Sequence, residues 1–154
     1  MLDAALEIFM VEDDTGHAHL IEKNLRRAGI SNSITHFENG RAVLDHFIGT
    51  DGLIHQPDYA ERQMLMLLDL NLPEVDGYEV LRQLKANTAT QAIPVIILTT
   101  TDNPREIERC YELGCNVYIT KPVGYENFAD AIQKLGLMLS VVKVPQTPGL
   151  KQAS

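Results

Sequence analysis

Three carboxylates, a hydroxyl and an ammonium mark the places where this chain could do chemistry. Each stands at the end of an apolar run. Glu12-Asp13 follows LEIFMV (residues 6–11), Asp69 follows QMLMLL (63–68), Thr99 follows IPVIIL (93–98), and Lys121 follows CNVYIT (115–120). Carboxylates brought together repel and raise one another's pKa unless a cation neutralises them. Hard oxygen donors of this kind suit Mg²⁺, which keeps several waters and often bridges to phosphate oxygens. A lysine and a threonine hydroxyl beside such a site could hold an anion placed on Asp69. The constellation looks built for a phosphoryl group.

The elements that must position these residues alternate along the chain. Strands are expected at 6–11, 32–37, 63–69, 93–99 and 115–120. Helices follow each of them. The first helix carries Ala18, Ile21, Leu25 and Ala28 on one stripe and closes on Gly29; the second turns Ala42, Val43 and Phe47 inward. The third, at 77–85, presents Val80, Leu81 and Leu84. The fourth runs from Pro104 to about Gly114 with Asn103 as its cap. The fifth, at 125–139, carries Phe128, Ala131, Ile132, Leu135 and Leu139. The fourth strand is hydrophobic without a break, which implies burial on both faces. Five strand–helix units with right-handed crossovers imply an α/β, doubly wound, five-stranded parallel sheet with helices on both faces. Ligands of such sheets bind beyond the C-terminal strand ends, where all five residues fall.

Composition narrows the functional classes. Hydrophobic residues at 45% and charged residues at 22% fit a soluble globular domain. A net charge of -8 and scattered Lys and Arg argue against a nucleic-acid face. No apolar stretch approaches the roughly 20 residues that span a bilayer, and the acidic N-terminus is unlike a secretory signal. Cys110 and Cys115 have no metal-site spacing and read as inert fillers, so a cytoplasmic location with reduced thiols is expected. The division expected is one domain over 1–140 and a tail over 141–154 with no output domain. A turn-rich stretch at 49–62 is longer than usual connections and reads as a functional loop or binding surface.

The set of VED at 11–13, LLDLNLPEVDGYEVL at 67–81, VIILTT at 95–100 and YITKP at 118–122 resembles the receiver domain of two-component response regulators. The resemblance covers about residues 6–139 and implies the flavodoxin-like strand order 2-1-3-4-5. It implies that Asp69 accepts phosphate from a sensor histidine kinase. Asp13 would ligate Mg²⁺ directly and Glu12 through water, with Asp69 and the backbone carbonyl of Asn71 completing the protein ligands. Lys121 would contact the phosphoryl oxygens, and its bond to Pro122 would be cis. Thr99 would move toward the phosphoryl group and Tyr118 would turn inward, the two acting as a switch. Asn71 and Thr101 would tune the phosphoryl lifetime; neither is a strong general base, so slow hydrolysis is expected. Within the family, the phrasing and the long segment before the third strand resemble regulators paired with bacterial phytochromes. The chain would then be no enzyme beyond its own Mg²⁺-dependent phosphorylation and dephosphorylation, and its output would be a contact with a downstream protein.

Other readings compete. A phosphorelay intermediate shares every feature. A Mg²⁺-dependent phosphatase of the haloacid-dehalogenase kind also uses a strand-end Asp, but it wants Asp-x-Asp where this chain has Asp69-Leu70-Asn71. An adaptor that signals without phosphate would not need Glu12, Asp13, Asp69, Thr99 and Lys121 intact. Glu12-Asp13-Asp14 could in part cap the first helix, through Asp14 or Thr15. His17 and His19, two apart, do not share a helix face and are expected as solvated surface residues. Leu137, Met138, Val141, Val142 and Val144 exceed one apolar stripe, which implies a homodimer or partner surface on the C-terminal helix, or a tail folded back on its own domain.

Overall fold

The structure is a computed structural model that describes residues 5–48 and 62–139. Ten elements alternate along it: β1 (Glu7–Val11), α1 (Thr15–Arg27), β2 (Ile34–Phe37), α2 (Gly40–Phe47), β3 (Met64–Leu68), α3 (Gly77–Ala86), β4 (Val95–Thr99), α4 (Pro104–Leu113), β5 (Val117–Thr120) and α5 (Tyr125–Leu139). The strands form one parallel sheet in the order β2-β1-β3-β4-β5. Chain order reverses beside β1, between β1 and β3, and that crevice is where this topology places ligands. The turn-rich segment expected ahead of β3 and the tail beyond residue 139 lie outside the described residues, apart from Arg62.

Alternation along the central strands divides the core into two layers. Phe9, Val11, Met64, Met66, Leu68, Val95 and Ile97 face one side, where they meet Val43, Leu44 and Phe47 of α2, Val80, Leu81 and Leu84 of α3, and Cys110 of α4. Ile8, Met10, Leu65, Leu67, Ile96 and Leu98 face the other, against Leu20, Ile21 and Leu25 of α1 and Phe128, Ile132, Leu135 and Leu139 of α5. β3 and β4 are buried at every position, as their unbroken hydrophobicity requires. In α2 the inward set differs slightly from expectation. Leu44 is buried and Ala42 only half-buried, because the 100° step of a helix carries the stripe through 43, 44 and 47.

β1 and β3 begin one residue later than the hydrophobic runs suggest, and the other three strands begin two residues later, each for a local reason. Asn32 donates its side-chain amide to the Leu6 carbonyl at 2.9 Å and so stands outside the β2 ladder. Pro94 has no N–H to give to β4. Asn116 accepts from Val95 N through its side chain at 2.9 Å, replacing a strand contact ahead of β5. The helix starts follow capping chemistry closely. Asp14, Asn39, Asp76 and Asn103 each accept from a backbone N–H of the first turn.

Candidate functional site

The site begins where β1 and β3 end side by side, Val11 beside Leu68, and where β4 and β5 end side by side, Thr99 beside Thr120. Backbone hydrogen bonds run Asp69 N to Val11 O at 3.1 Å and Lys121 N to Thr99 O at 2.6 Å, continuing the ladders one residue past the strands. Glu12 N donates to Phe37 O at 3.0 Å, and His36 Nε2 lies 2.6 Å from Glu12 O, which fixes the chain where the acidic pair begins. These contacts place Glu12, Asp69, Thr99 and Lys121 at one edge of the sheet. All four are buried, with 2%, 7%, 0% and 6% of their surface exposed. Asp13 is exposed at the mouth.

The loop after Asp69 is shaped by close backbone approach. A Cβ on Gly77 would lie 2.2 Å from Asp69 O, and one on Gly40 would lie 1.8 Å from Val75 O. Gly77 N donates to Leu70 O at 2.9 Å and Asn71 N to Asp69 Oδ1 at 3.2 Å. Glu74 has a φ of 70°, unusual for a residue with a side chain. The loop holding Pro73 and Asp76-Gly77 is thus packed against both α2 and α3.

Charge at the site is unequal. Oxygen atoms of Glu12, Asp13 and Asp69 lie within 4.8 Å of one another. Against these three carboxylates stands Lys121, whose Nζ donates to Glu12 Oε1 and, at 3.1 Å, to Asp69 Oδ2. Burial pushes the Glu12 carboxyl up to about 7 and the Asp69 charge adds to the rise, while the hydrogen bond from Lys121 opposes it. The Thr99 hydroxyl is fully buried and has no hydrogen-bond partner. A buried donor left unpaired costs free energy unless a ligand oxygen completes it. The donor set and its surplus negative charge fit a hard divalent cation, and the orphaned hydroxyl fits an oxyanion.

These features decide the family once the chain is compared with known proteins. Residues 8–133 match the response regulator receiver domain. The chain belongs to that family. A receiver domain from Rhodospirillum rubrum, known from its crystal structure, is 55% identical, with a TM-score of 0.86 over 93% of this chain and 99% of that one. The response regulator Rcp1 of Synechocystis is 32% identical over 90% of this chain and 92% of its own length. The crystal structure of its Mn(2+)-bound form gives a TM-score of 0.78 at 30% identity, covering 90% of this chain and 98% of that one. A phosphorylated cyanobacterial phytochrome response regulator, RcpA, matches with a TM-score of 0.78 at 30% identity, over 90% of this chain and 97% of that one. This receiver is therefore related to phytochrome response regulators, and its five-stranded fold in the order 2-1-3-4-5 is that of the family.

One expectation about the site needs correction. No cis peptide bond occurs among the described residues, so Lys121–Pro122 is trans, the isomer favoured by about 0.5–1 kcal/mol at an X–Pro bond. His17 keeps about 40% of its side chain exposed, as expected of a surface residue, yet its ring is also engaged. Its Nδ1 lies 3.2 Å from Lys121 Nζ, and its ring sits edge-on against Phe128 with centroids 5.3 Å apart. His19 does lie apart from it, on the outer face of α1 in a cleft lined by Glu22, Lys23, Arg26 and Arg27. The usable signal was the position of His17 in the first turn of a helix that starts directly after the acidic pair. His36 was missed as well, and no spacing in the sequence points to it. Tyr118 is half-buried, and its hydroxyl donates to Thr101 O at 2.6 Å. Among the described residues, no helix is long and apolar enough to cross a membrane.

Proposed function

We propose that this receiver is a phosphorylation-operated switch in which Asp69 takes the phosphoryl group from a histidine kinase. The observation that carries the reading is the Asp69 carboxylate bound to Lys121 beside Glu12 and Asp13, with the unpartnered Thr99 hydroxyl at the same sheet edge. In the transfer, an Asp69 oxygen forms a bond to phosphorus as the donor's P–N bond breaks, and the nitrogen leaves with that electron pair. Lys121 offsets charge on the phosphoryl oxygens and Thr99 donates its free hydroxyl to one of them. Mg²⁺, held by Glu12, Asp13, Asp69 and the Asn71 carbonyl, supplies further positive charge when bound. The Mn(2+) form of Rcp1 supports a divalent ion here, and the surplus of carboxylates supports it independently.

Thr99 and Tyr118 serve as the switch. Tyr118 is tied through Thr101 to the loop that follows Thr99, so a pull on Thr99 reaches the α4–β5 face, where a downstream protein would read it. Asn71 and Thr101 would tune a slow hydrolysis. The relatives make a bacterial phytochrome the kinase to test first. Leu137 and Met138, 61% and 42% exposed on α5, support a homodimer through that helix. The free, buried Cys110 and Cys115 suit a reducing cytoplasm.

The test is intact mass after incubation with phosphoramidate and Mg²⁺, quenched in acid. One phosphoryl adduct is expected on the wild type, and none on Asp69→Asn or in EDTA. An adduct that persists in Asp69→Asn would overturn the assignment.

A further inference from the structure

The lysine of the site has a third partner that the chemistry above does not use. An ammonium carries three N–H donors and no acceptor. Those of Lys121 meet Glu12 Oε1, Asp69 Oδ2 at 3.1 Å and His17 Nδ1 at 3.2 Å. Because Lys121 only donates, a hydrogen bond between the two needs Nδ1 as its acceptor, the tautomer that carries its proton on Nε2. The ring is about 40% exposed and is held from its inner side. It stands in the first turn of α1, its own backbone N–H is bound by the Asp14 cap at 3.0 Å, and its face lies at 88° to the Phe128 ring of α5. Lys121 Nζ is itself 5.8 Å from the centre of that phenyl ring. The Asp14 carboxylate, 3.9 Å from Nδ1, is beyond hydrogen-bond range and leaves the acceptor to Lys121.

We infer that His17 is a positioning residue for phosphoryl transfer: its Nδ1 holds the Lys121 ammonium in place over Asp69 while the lysine's two carboxylate partners change theirs. The inference rests on Asp69 being the phosphoacceptor. Phosphorylation turns the Asp69 carboxylate into an acyl phosphate, so the bond from Lys121 to Oδ2 gives way to one with the phosphoryl oxygens, and cation binding draws on Glu12; both carboxylate contacts of Lys121 are therefore exchanged as the reaction proceeds. The neutral nitrogen of His17 is the same before and after. A third carboxylate at this position would compete with the phosphoryl oxygens for the lysine, and a second cation would repel it. A neutral acceptor fixed between two helices does neither.

The experiment measures phosphorylation rates of the full chain with phosphoramidate and Mg²⁺, by quenched intact mass, for wild type, His17→Leu and His17→Asn. Leucine keeps apolar contact with Phe128 and removes the acceptor, whereas the asparagine oxygen can stand near the position of Nδ1. Loss of one hydrogen bond to a charged group predicts a rate about ten-fold lower in His17→Leu and within about two-fold of wild type in His17→Asn. Mg²⁺ affinity, which a general disturbance of the acidic cluster would move, should stay within about two-fold in both. An unchanged rate in His17→Leu, or equal losses in the two variants, would overturn the inference. So would a long-range ¹⁵N–¹H spectrum of the wild type showing the His17 proton on Nδ1, a readout independent of any variant. A wild type that takes no phosphoryl group overturns the Asp69 reading itself; a normal adduct in the wild type with an unaffected His17→Leu overturns the role of His17 alone.

Discussion

The two edges of the sheet treat their charges in opposite ways. At the N-terminal edge, Glu7 of β1 meets Arg62 through a two-pronged contact, with Nε at 2.7 Å from one oxygen and NH2 on the other. One carboxylate faces one guanidinium, and the fork geometry satisfies both. At the C-terminal edge three carboxylates cluster while one lysine bonds two of them, and a buried hydroxyl goes without a partner. An orphan atom alone does not mark a functional site, since Gln63 Oε1 near the first edge is also buried and unpaired. What separates the edges is charge balance. Among the described residues the Glu7–Arg62 pair balances itself, whereas the carboxylates at the C-terminal edge outnumber the lysine they meet. Stability should therefore reside in one edge and chemistry in the other, a separation that mutations can test.

The largest expected effect is on chemistry with none on folding. Asp69→Asn should lose the phosphoryl adduct entirely and yet melt at or above the wild-type temperature, because it relieves like-charge repulsion with Glu12. A lower melting temperature by circular dichroism would show that the C-terminal edge is needed for stability after all. Gly77→Ala should breach the separation. Its Cβ would press on Asp69 O, so a loss of about 1–3 kcal/mol from overpacking should accompany a slower phosphorylation. Urea titration gives the first quantity and quenched mass the second. Next comes Glu7→Ala. Breaking the partly buried pair with Arg62 should cost about 1–2 kcal/mol in the same titration. The phosphorylation rate should not change, and a change in it would mean that the two edges are coupled through the sheet.

The comparison also shows which parts of the molecule its sequence reveals. Asn103-Pro104 and Gly114 announce both ends of α4 because capping is decided by neighbours in the chain. Asp69 and Lys121 were legible because an apolar run ending in charge has few explanations in a parallel sheet. The late starts of β2 and β5 were not, since Asn32 and Asn116 reach across to β1 and β4. His17 and His36 escaped for the same reason. Their partners are Lys121 and Phe128 in one case and the Glu12 carbonyl in the other, all brought near only by folding. Contacts made along the chain could be read in advance; contacts made across it could not.

The smallest effect is a pH drift confined to the unbalanced edge. Glu12 is raised from 4.5 to about 7 in the folded chain without metal, so between those values the native state holds a proton that the unfolded state has released. Stability then falls as pH rises through this window and levels off above about 7, the reverse of an ordinary salt-bridged carboxylate. In EDTA, the melting temperature of Glu12→Gln should therefore gain on that of the wild type by a few °C between pH 5 and pH 7.5. Mg²⁺ should remove the drift in the wild type by stabilising the charged carboxylate. A constant difference between the two proteins across the range would mean that Lys121 alone balances Glu12, and that the edge is not as short of positive charge as its three carboxylates suggest.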